Sequence, residues 1–245
     1  MKKADKEEAI KYVDAKGKRL DGRGINDLRP IKIEVGVLKR ADGSCYLEWG
    51  QNKILASVYG PREFLPKHKA NPYRATVRYV YRMTTFAVPD RKNPRPGRRE
   101  IEISKVSAEA LEKAIFLEKF PNTVIDVFVQ ISDANAGTRV AALSAASCAM
   151  ADAGIPMRDM VSSVSVGRAG GNIIVDLTKE EEDAPDAIDA AMATLPNTDE
   201  IVLLQMDGEM KMDEWKKIQK LGLEACKKVK ELQVNALKEK YKGGE

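Results

Sequence analysis

The chain has 245 residues and a formal net charge of +4, long enough to bury a core without staples. It has no apolar run near the ~20 residues of a membrane span, and its charged start, "MKKADKEEAIKYVDAKGKRLDGR", has no apolar signal core. One histidine, His68, and three widely spaced cysteines, Cys45, Cys148 and Cys226, argue against a zinc site and against a Ser-His-Asp triad, and for reduced, buried thiols in a cytoplasmic protein.

Residues 1–24 read as an exposed leader ending in the turn signal "RLDGR". "IKIEVGVL" (31–38) alternates apolar and polar side chains, as a half-buried strand does. "ADGS" reads as a hairpin turn into "CYLEWG", followed by the strand "KILASVYG". "RATVRYVYRM" (74–83) predicts a strand with Val77, Tyr79 and Tyr81 on one face and arginines on the other. "RKNPRPGRR" is a Pro-rich loop. From Glu100 the period changes: Ile103, Val106, Ala110, Ala114 and Leu117 fall at helical spacing and stop before Pro121.

"TVIDVFVQIS" (123–132) predicts a central strand, followed by a helix of Ala, Ser and Leu opened by "NAGTR". "VSSVSVGR", "NIIVDL" and "IVLLQMD" predict three more strands. A last helix starts with Asp213 as N-cap and carries a stripe of Trp215, Ile218, Leu221, Ala225, Val229, Leu232 and Ala236, with a frayed tail. The order of elements predicts an α+β fold of two related βα units.

Charge is unevenly spread. Arg62 to Arg99 holds eleven Lys/Arg against two acids, and Asp176 to Asp189 seven acids against one lysine. A basic arm and an acidic loop suggest a polyanion partner and a separate carboxylate site, although two solvated faces of opposite sign would read the same.

Three segments could carry chemistry. Gly137-Thr138-Arg139 opens a helix with no charge between Arg139 and Asp152. Free amides, a hydroxyl and a guanidinium fork together suit a phosphate; an ordinary capped helix with a surface arginine would look similar. Arg98 and Arg99 open the earlier helix, where the dipole disfavours cations. Asp183 and Asp189 lie six apart in the acidic loop, with Pro185 between them. A carboxylate there could bind Mg²⁺ or give a proton to a leaving oxygen.

These residues, in this order, resemble the RNase PH family of phosphorolytic 3′→5′ exoribonucleases, and within it the catalytic RNase PH-like subunits of archaeal exosomes. The stretches that carry the resemblance are "RLDGRGINDLRPIKIEVGVLKRADGS", "VYGPRE", "RKNPRPGRREIEISK", "FPNTVIDVFVQI", "AGTRVAALSAASCAMADAGIPMRD" and "EEDAPDAID". It implies an RNase PH-like (ribosomal S5 domain 2-like) fold over 25–240, with two pseudo-symmetric ββαβ-type halves near 25–120 and 121–240 and a tail at 241–245. It also implies a hexameric ring with a paralogous RNase PH-like subunit, RNA-binding cap subunits, and single-stranded RNA 3′ ends as substrate.

By the same resemblance Arg99, Gly137, Thr138 and Arg139 bind inorganic phosphate, the co-substrate. Asp183 matches the essential catalytic aspartate and Asp189 the second acidic position of that loop, Asp183 either protonating the leaving oxygen or holding a Mg²⁺ that stabilises it, with Asp189 the second carboxylate of that metal site. Arg98 and the basic arm with Lys67, His68, Arg74 and Arg78 track the RNA backbone. The chain departs from the family at Asn135, in the acidic loop after Asp183, and at Arg78-Tyr79-Val80-Tyr81. The competing readings are a non-catalytic scaffold subunit of the same ring, which would lack part of the Arg99, Gly137-Thr138-Arg139 and Asp183 set, and a homohexameric tRNA-trimming RNase PH, which would have no paralogue partner.

Overall fold

The computed structural model describes residues 12–14 and 17–242; the remainder of the expected leader and residues 243–245 of the expected tail lie outside them. Among the described residues nine strands form two sheets. The first holds β1 (Ile31–Val35), β2 (Gly43–Trp49), β3 (Asn52–Glu63), β4 (Thr76–Met83) and β5 (Thr123–Asp133) in the order β1-β2-β3-β5-β4. The second holds β6 (Ser162–Ala169), β7 (Asn172–Val175), β8 (Ile188–Leu195) and β9 (Glu200–Asp207) in the order β7-β6-β8-β9. Only β4 and β5 pair in parallel. Helix α1 (Arg98–Ala114) is the crossover that this parallel pair requires. The expected break between halves near 120 precedes β5, yet β5 lies inside the first sheet, so the sheet boundary falls after it.

Helix α2 (Thr138–Asp152) lies between the sheets, packed against β2, β3 and β6. All of its residues except Arg139 and Ala151 are buried. A helix enclosed on every side has no face for charge, which explains the neutral Ala/Ser sequence. Small side chains let it press flat: a Cβ added to Gly43 of β2 would lie 2.2 Å from the Ala149 carbonyl oxygen. Its two charges sit at its ends: Arg139 in the first turn, where the packed layer opens, and Asp152 as the last residue, where Lys240 and Tyr241 bond it.

Helix α4 (Met212–Lys242) covers β6, β7 and β8. Its buried stripe is Ile218, Gly222, Ala225, Cys226, Val229 and Gln233. Leu232, expected on that stripe, is exposed. Its inward neighbour Gln233 accepts from Ser162 Oγ and donates to the carbonyls of Ser144 and Val161. The expected fraying does not hold for the last described turn, where Lys240 and Tyr241 both bond the Asp152 carboxylate at the end of α2.

Two elements in the acidic segment have no counterpart in the sequence reading. Residues Lys179–Glu182 form a one-turn helix, α3, and Ile188–Leu195 form β8. Nor is the leader exposed throughout: Arg19 is buried and clasps Glu181 of α3 through Nε and Nη2.

Candidate active site

One open cleft of about 590 Å³ is lined by Arg99, Glu102, Arg139, Lys179, Glu182, Asp183, Asp189, Gln205, Met206 and Asp207. Five elements and the loop after α3 supply these residues: α1, α2, α3, the start of β8 and the end of β9. The cleft therefore sits where the first sheet's crossover helix meets the second sheet.

The start of α2 is the cationic wall. Gly137 has φ +64°, a left-handed turn that glycine takes without steric cost. Asn135 and Ala136 before it are pinned from behind. Asn52 donates to the Ala136 carbonyl at 2.7 Å and accepts from the Asn135 amide at 2.6 Å, and Arg29 donates to the Asn135 carbonyl at 2.5 Å. The Gly137 amide thus stays fixed toward the cleft, where it donates to Glu182 at 3.3 Å. Tyr81 of β4 donates its hydroxyl to Thr138 Oγ1 at 2.9 Å. Burial pushes the Tyr81 phenol up, against the opposing effect of the Thr138 hydrogen bond, so it remains a donor.

Arg139 donates to Gln205, and Gln205 donates to Glu102. This chain of hydrogen bonds ties α2, β9 and α1 together across the cleft. Burial and the nearby Arg99 draw the Arg139 guanidinium below its ordinary value, with Asp189 and Glu102 opposing. Arginine keeps its charge through such a shift. Two cations drawn this close repel each other, and an anion between them removes that cost. Arg99 is presented by a capped first turn, in which Glu100 is buried and accepts from the Gly97 amide at 2.8 Å.

The acidic wall faces them. Asp189, at the start of β8, accepts from Ser165 Oγ at 2.5 Å. Asp183 follows α3, is exposed, and pairs with Lys179 at 2.5 Å. Burial and the neighbouring Asp189 push the Glu182 carboxyl up, while the Gly137 amide, Lys179 and Arg99 oppose.

The structure therefore brings Arg99, Arg139, Asp183 and Asp189 together in the cleft lining; Gly137 reaches it through its bond to Glu182, and Thr138 is buried behind Arg139, outside the lining. The residues expected on the RNA track are not gathered with them. Arg98 is exposed at the start of α1 but outside the cleft lining. Lys67 and His68 lie in a turn after β3, where Lys67 pairs with Glu63 at 2.6 Å. Arg74 pairs with Glu112 at 3.4 Å. Arg78 makes a two-pronged bond to Asp126 on β5, at 2.6 and 2.8 Å. The arginine face of β4 is thus partly answered within the sheet.

Glu102, Lys179, Glu182 and Gln205 line the cleft without having been singled out in the sequence. Glu102 could have been found, since it lies three residues beyond Arg99 and so on the same helix face. Gln205 could not, because its role depends on which strand meets α1.

The sequence matches the 3′ exoribonuclease family, domain 1 over residues 27–156 and domain 2 over residues 159–225; the chain belongs to this family. The exosome complex component Rrp41 of Pyrococcus abyssi is 53% identical over 237 residues, covering 97% of this chain and 95% of that protein. Rrp41 of Methanopyrus kandleri is 52% identical over 233 residues, covering 95% of this chain and 97% of its own. Among solved structures, rice Rrp46 superposes with a TM-score of 0.81 at 25% identity, covering 90% of this chain and 100% of that one. A chain of the Archaeoglobus fulgidus exosome with RNA bound to the active site superposes with a TM-score of 0.75 at 22% identity, covering 88% and 92%; this likeness is one of fold.

Proposed function

We propose that the chain is the catalytic subunit of a ring-shaped 3′→5′ exoribonuclease that shortens single-stranded RNA by phosphorolysis. The observation that carries this is the meeting of Arg99, Arg139 and the Gly137 amide with Asp183 and Asp189 in one cleft. The nearly full-length similarity to exosome components supports the same reading.

In the reaction an oxygen of inorganic phosphate attacks the phosphorus of the terminal phosphodiester. A P–O bond forms, the bond to the ribose 3′ oxygen breaks, and a nucleoside 5′-diphosphate leaves. Both reactants are anions, so the first requirement is to offset their repulsion. Arg99, Arg139, Thr138 and the Gly137 amide seat the attacking phosphate, and Arg98 steadies the scissile one. The 3′ oxygen is a poor leaving group, and Asp183 delivers the proton it takes on departure, with Asp189 beside it.

Mg²⁺ belongs to this reading as well. Among the described residues no three His, Cys, Asp or Glu side chains gather as a metal-binding group. Asp183 and Asp189 instead offer two carboxylates to one cleft, the donor set with which Mg²⁺ is held alongside substrate phosphates and water. Bound there it would supply charge neutralisation at the leaving oxygen.

The ring supplies what a lone chain lacks. Strand β9 is a sheet edge, and its Leu204 and Met206 are 44% and 50% exposed, apolar surface that the paralogous subunit would cover. RNA-binding cap subunits would feed 3′ ends toward the basic arm of Lys67, His68, Arg74 and Arg78. No helix among the described residues is long and apolar enough to cross a membrane, and three free, buried thiols suit the cytoplasm.

The test is the phosphate requirement. Degradation of an oligoribonucleotide should need inorganic phosphate and yield nucleoside diphosphates, and excess nucleoside diphosphate should drive tailing. Monophosphate products in phosphate-free buffer would reject the reading.

A further inference from the structure

Glu182 takes no part in the reaction as described, yet its carboxylate accepts from the Gly137 amide, the donor assigned to the incoming phosphate. It also lies within electrostatic reach of Arg99 and Lys179 on one side and of Asp189 on the other. The carboxylate thus has the surroundings of an anion in the phosphate seat. Its neighbour in sequence is Asp183, and both hang from α3, a single turn held to the body of the protein by the clasp of Arg19 on Glu181.

We propose that Glu182 is a positioning residue that competes with substrate phosphate for the Gly137 amide, so that phosphate entry exchanges one anion for another and resets the end of α3 that bears Asp183. The inference rests on the phosphate seat proposed above. A carboxylate and a phosphate cannot both take the same N–H. A like charge beside a divalent anion weakens its binding, while releasing the carboxylate lets the end of α3 shift toward the leaving oxygen. Phosphate affinity is then lower than the cations alone would give, and the placement of Asp183 is linked to occupancy of the seat.

Sulfate is the probe, because it is divalent and does not titrate near neutrality. Its binding is measured by calorimetry on the full chain in its active assembly, for the wild type, Glu182→Gln, Glu182→Ala and Arg139→Ala. Removing the competing charge should tighten sulfate binding by roughly tenfold in both Glu182 variants. The KM for phosphate should fall in parallel, with RNA affinity unchanged. A purely structural role predicts the opposite sign, since loosening the loop would weaken the seat. Sulfate binding that is equal to or weaker than wild type in both Glu182 variants, while Arg139→Ala abolishes it, would overturn the competition and leave the seat standing. If the wild type bound neither sulfate nor phosphate, the seat itself would fall and the competition with it.

Discussion

Arg29 grips Asp176 through Nε and Nη2, at 3.0 and 2.7 Å, while its Nη1 reaches the Asn135 carbonyl. Asp176 is fully buried and also accepts from Trp49 Nε1 at 2.9 Å. One ion pair therefore joins the segment before β1, the end of β7 and the loop that presents the Gly137 amide. Breaking a buried pair typically costs ~3–5 kcal/mol when it leaves a charge uncompensated; here Arg23 stays 3.3 Å from Asp176 and keeps part of that compensation, so the loss should fall toward the lower end. Arg29→Ala should lower the urea midpoint accordingly at an unchanged denaturant slope. A loss below about 1 kcal/mol would mean that water already shares this pair and that the loop is held by other contacts.

Tyr81→Phe isolates a smaller effect. The phenol donates to Thr138 Oγ1 and so fixes the side chain at the start of α2, beside Arg139. Losing one such hydrogen bond is worth ~0.5–1.5 kcal/mol. The KM for phosphate should therefore rise about two- to tenfold, with RNA affinity in phosphate-free buffer unchanged. An equal loss in RNA binding would show that Tyr81 acts on the general packing of α2 instead.

The strands and long helices were legible because their cores follow one period. Val77, Tyr79 and Tyr81 alternate inward and are buried, and Ile103 and Ala110 sit one above the other on α1. Residues 179–195 were not. Glu180, Glu181 and Glu182 read as solvated loop, yet Glu181 is buried because Arg19, far away in sequence, neutralises it. The middle of strand β8, residues 190–194, is built from Ala, Met and Thr, buried on both faces between β6 and β9, and so shows neither alternation nor bulk. The site divides in the same way. Arg99 and Arg139 stood out as local departures from a pattern, and Asp183 was singled out in its acidic loop by the family resemblance, whereas Glu182 and Gln205 matter only through partners that the fold delivers.

The thiols give a check on burial. Cys45, Cys148 and Cys226 are all fully buried and free. Burial pushes the Cys226 thiol up to about 12, with the neighbouring Thr194 side chain opposing, and contact with Cys148 together with burial raises Cys45 well above its ordinary value. Only the thiolate reacts, and a raised pKa means less thiolate at any given pH. A disulfide reagent at pH 8 should therefore find no fast-reacting thiol in the native protein and three after denaturation. A rapid stoichiometric reaction in the native state would contradict the packing of α2 on β2 if it fell on Cys45 or Cys148, and that of α4 on its sheet if it fell on Cys226.

Asp183 and the arginines should separate cleanly. Asp183 is 63% exposed at its side chain and pairs only with Lys179 at i,i+4, so Asp183→Asn should cost little stability. It removes the carboxyl proton and charge while keeping size, and general acid catalysis is worth typically ~10²–10⁴-fold. Turnover should fall by that order with RNA affinity intact or raised, since a negative charge near the backbone is gone. Arg98→Glu combined with Arg99→Glu should instead weaken both RNA and phosphate binding and flatten the salt dependence of RNA binding, as the loss of backbone contacts does. Arg139→Ala should act chiefly through the phosphate requirement. Filter binding of RNA beside single-turnover degradation across a phosphate titration reads all three. If Asp183→Asn lost RNA binding yet kept its rate at saturating RNA, the residue would belong to the RNA track, and the proton for the leaving oxygen would have to come from elsewhere in the cleft.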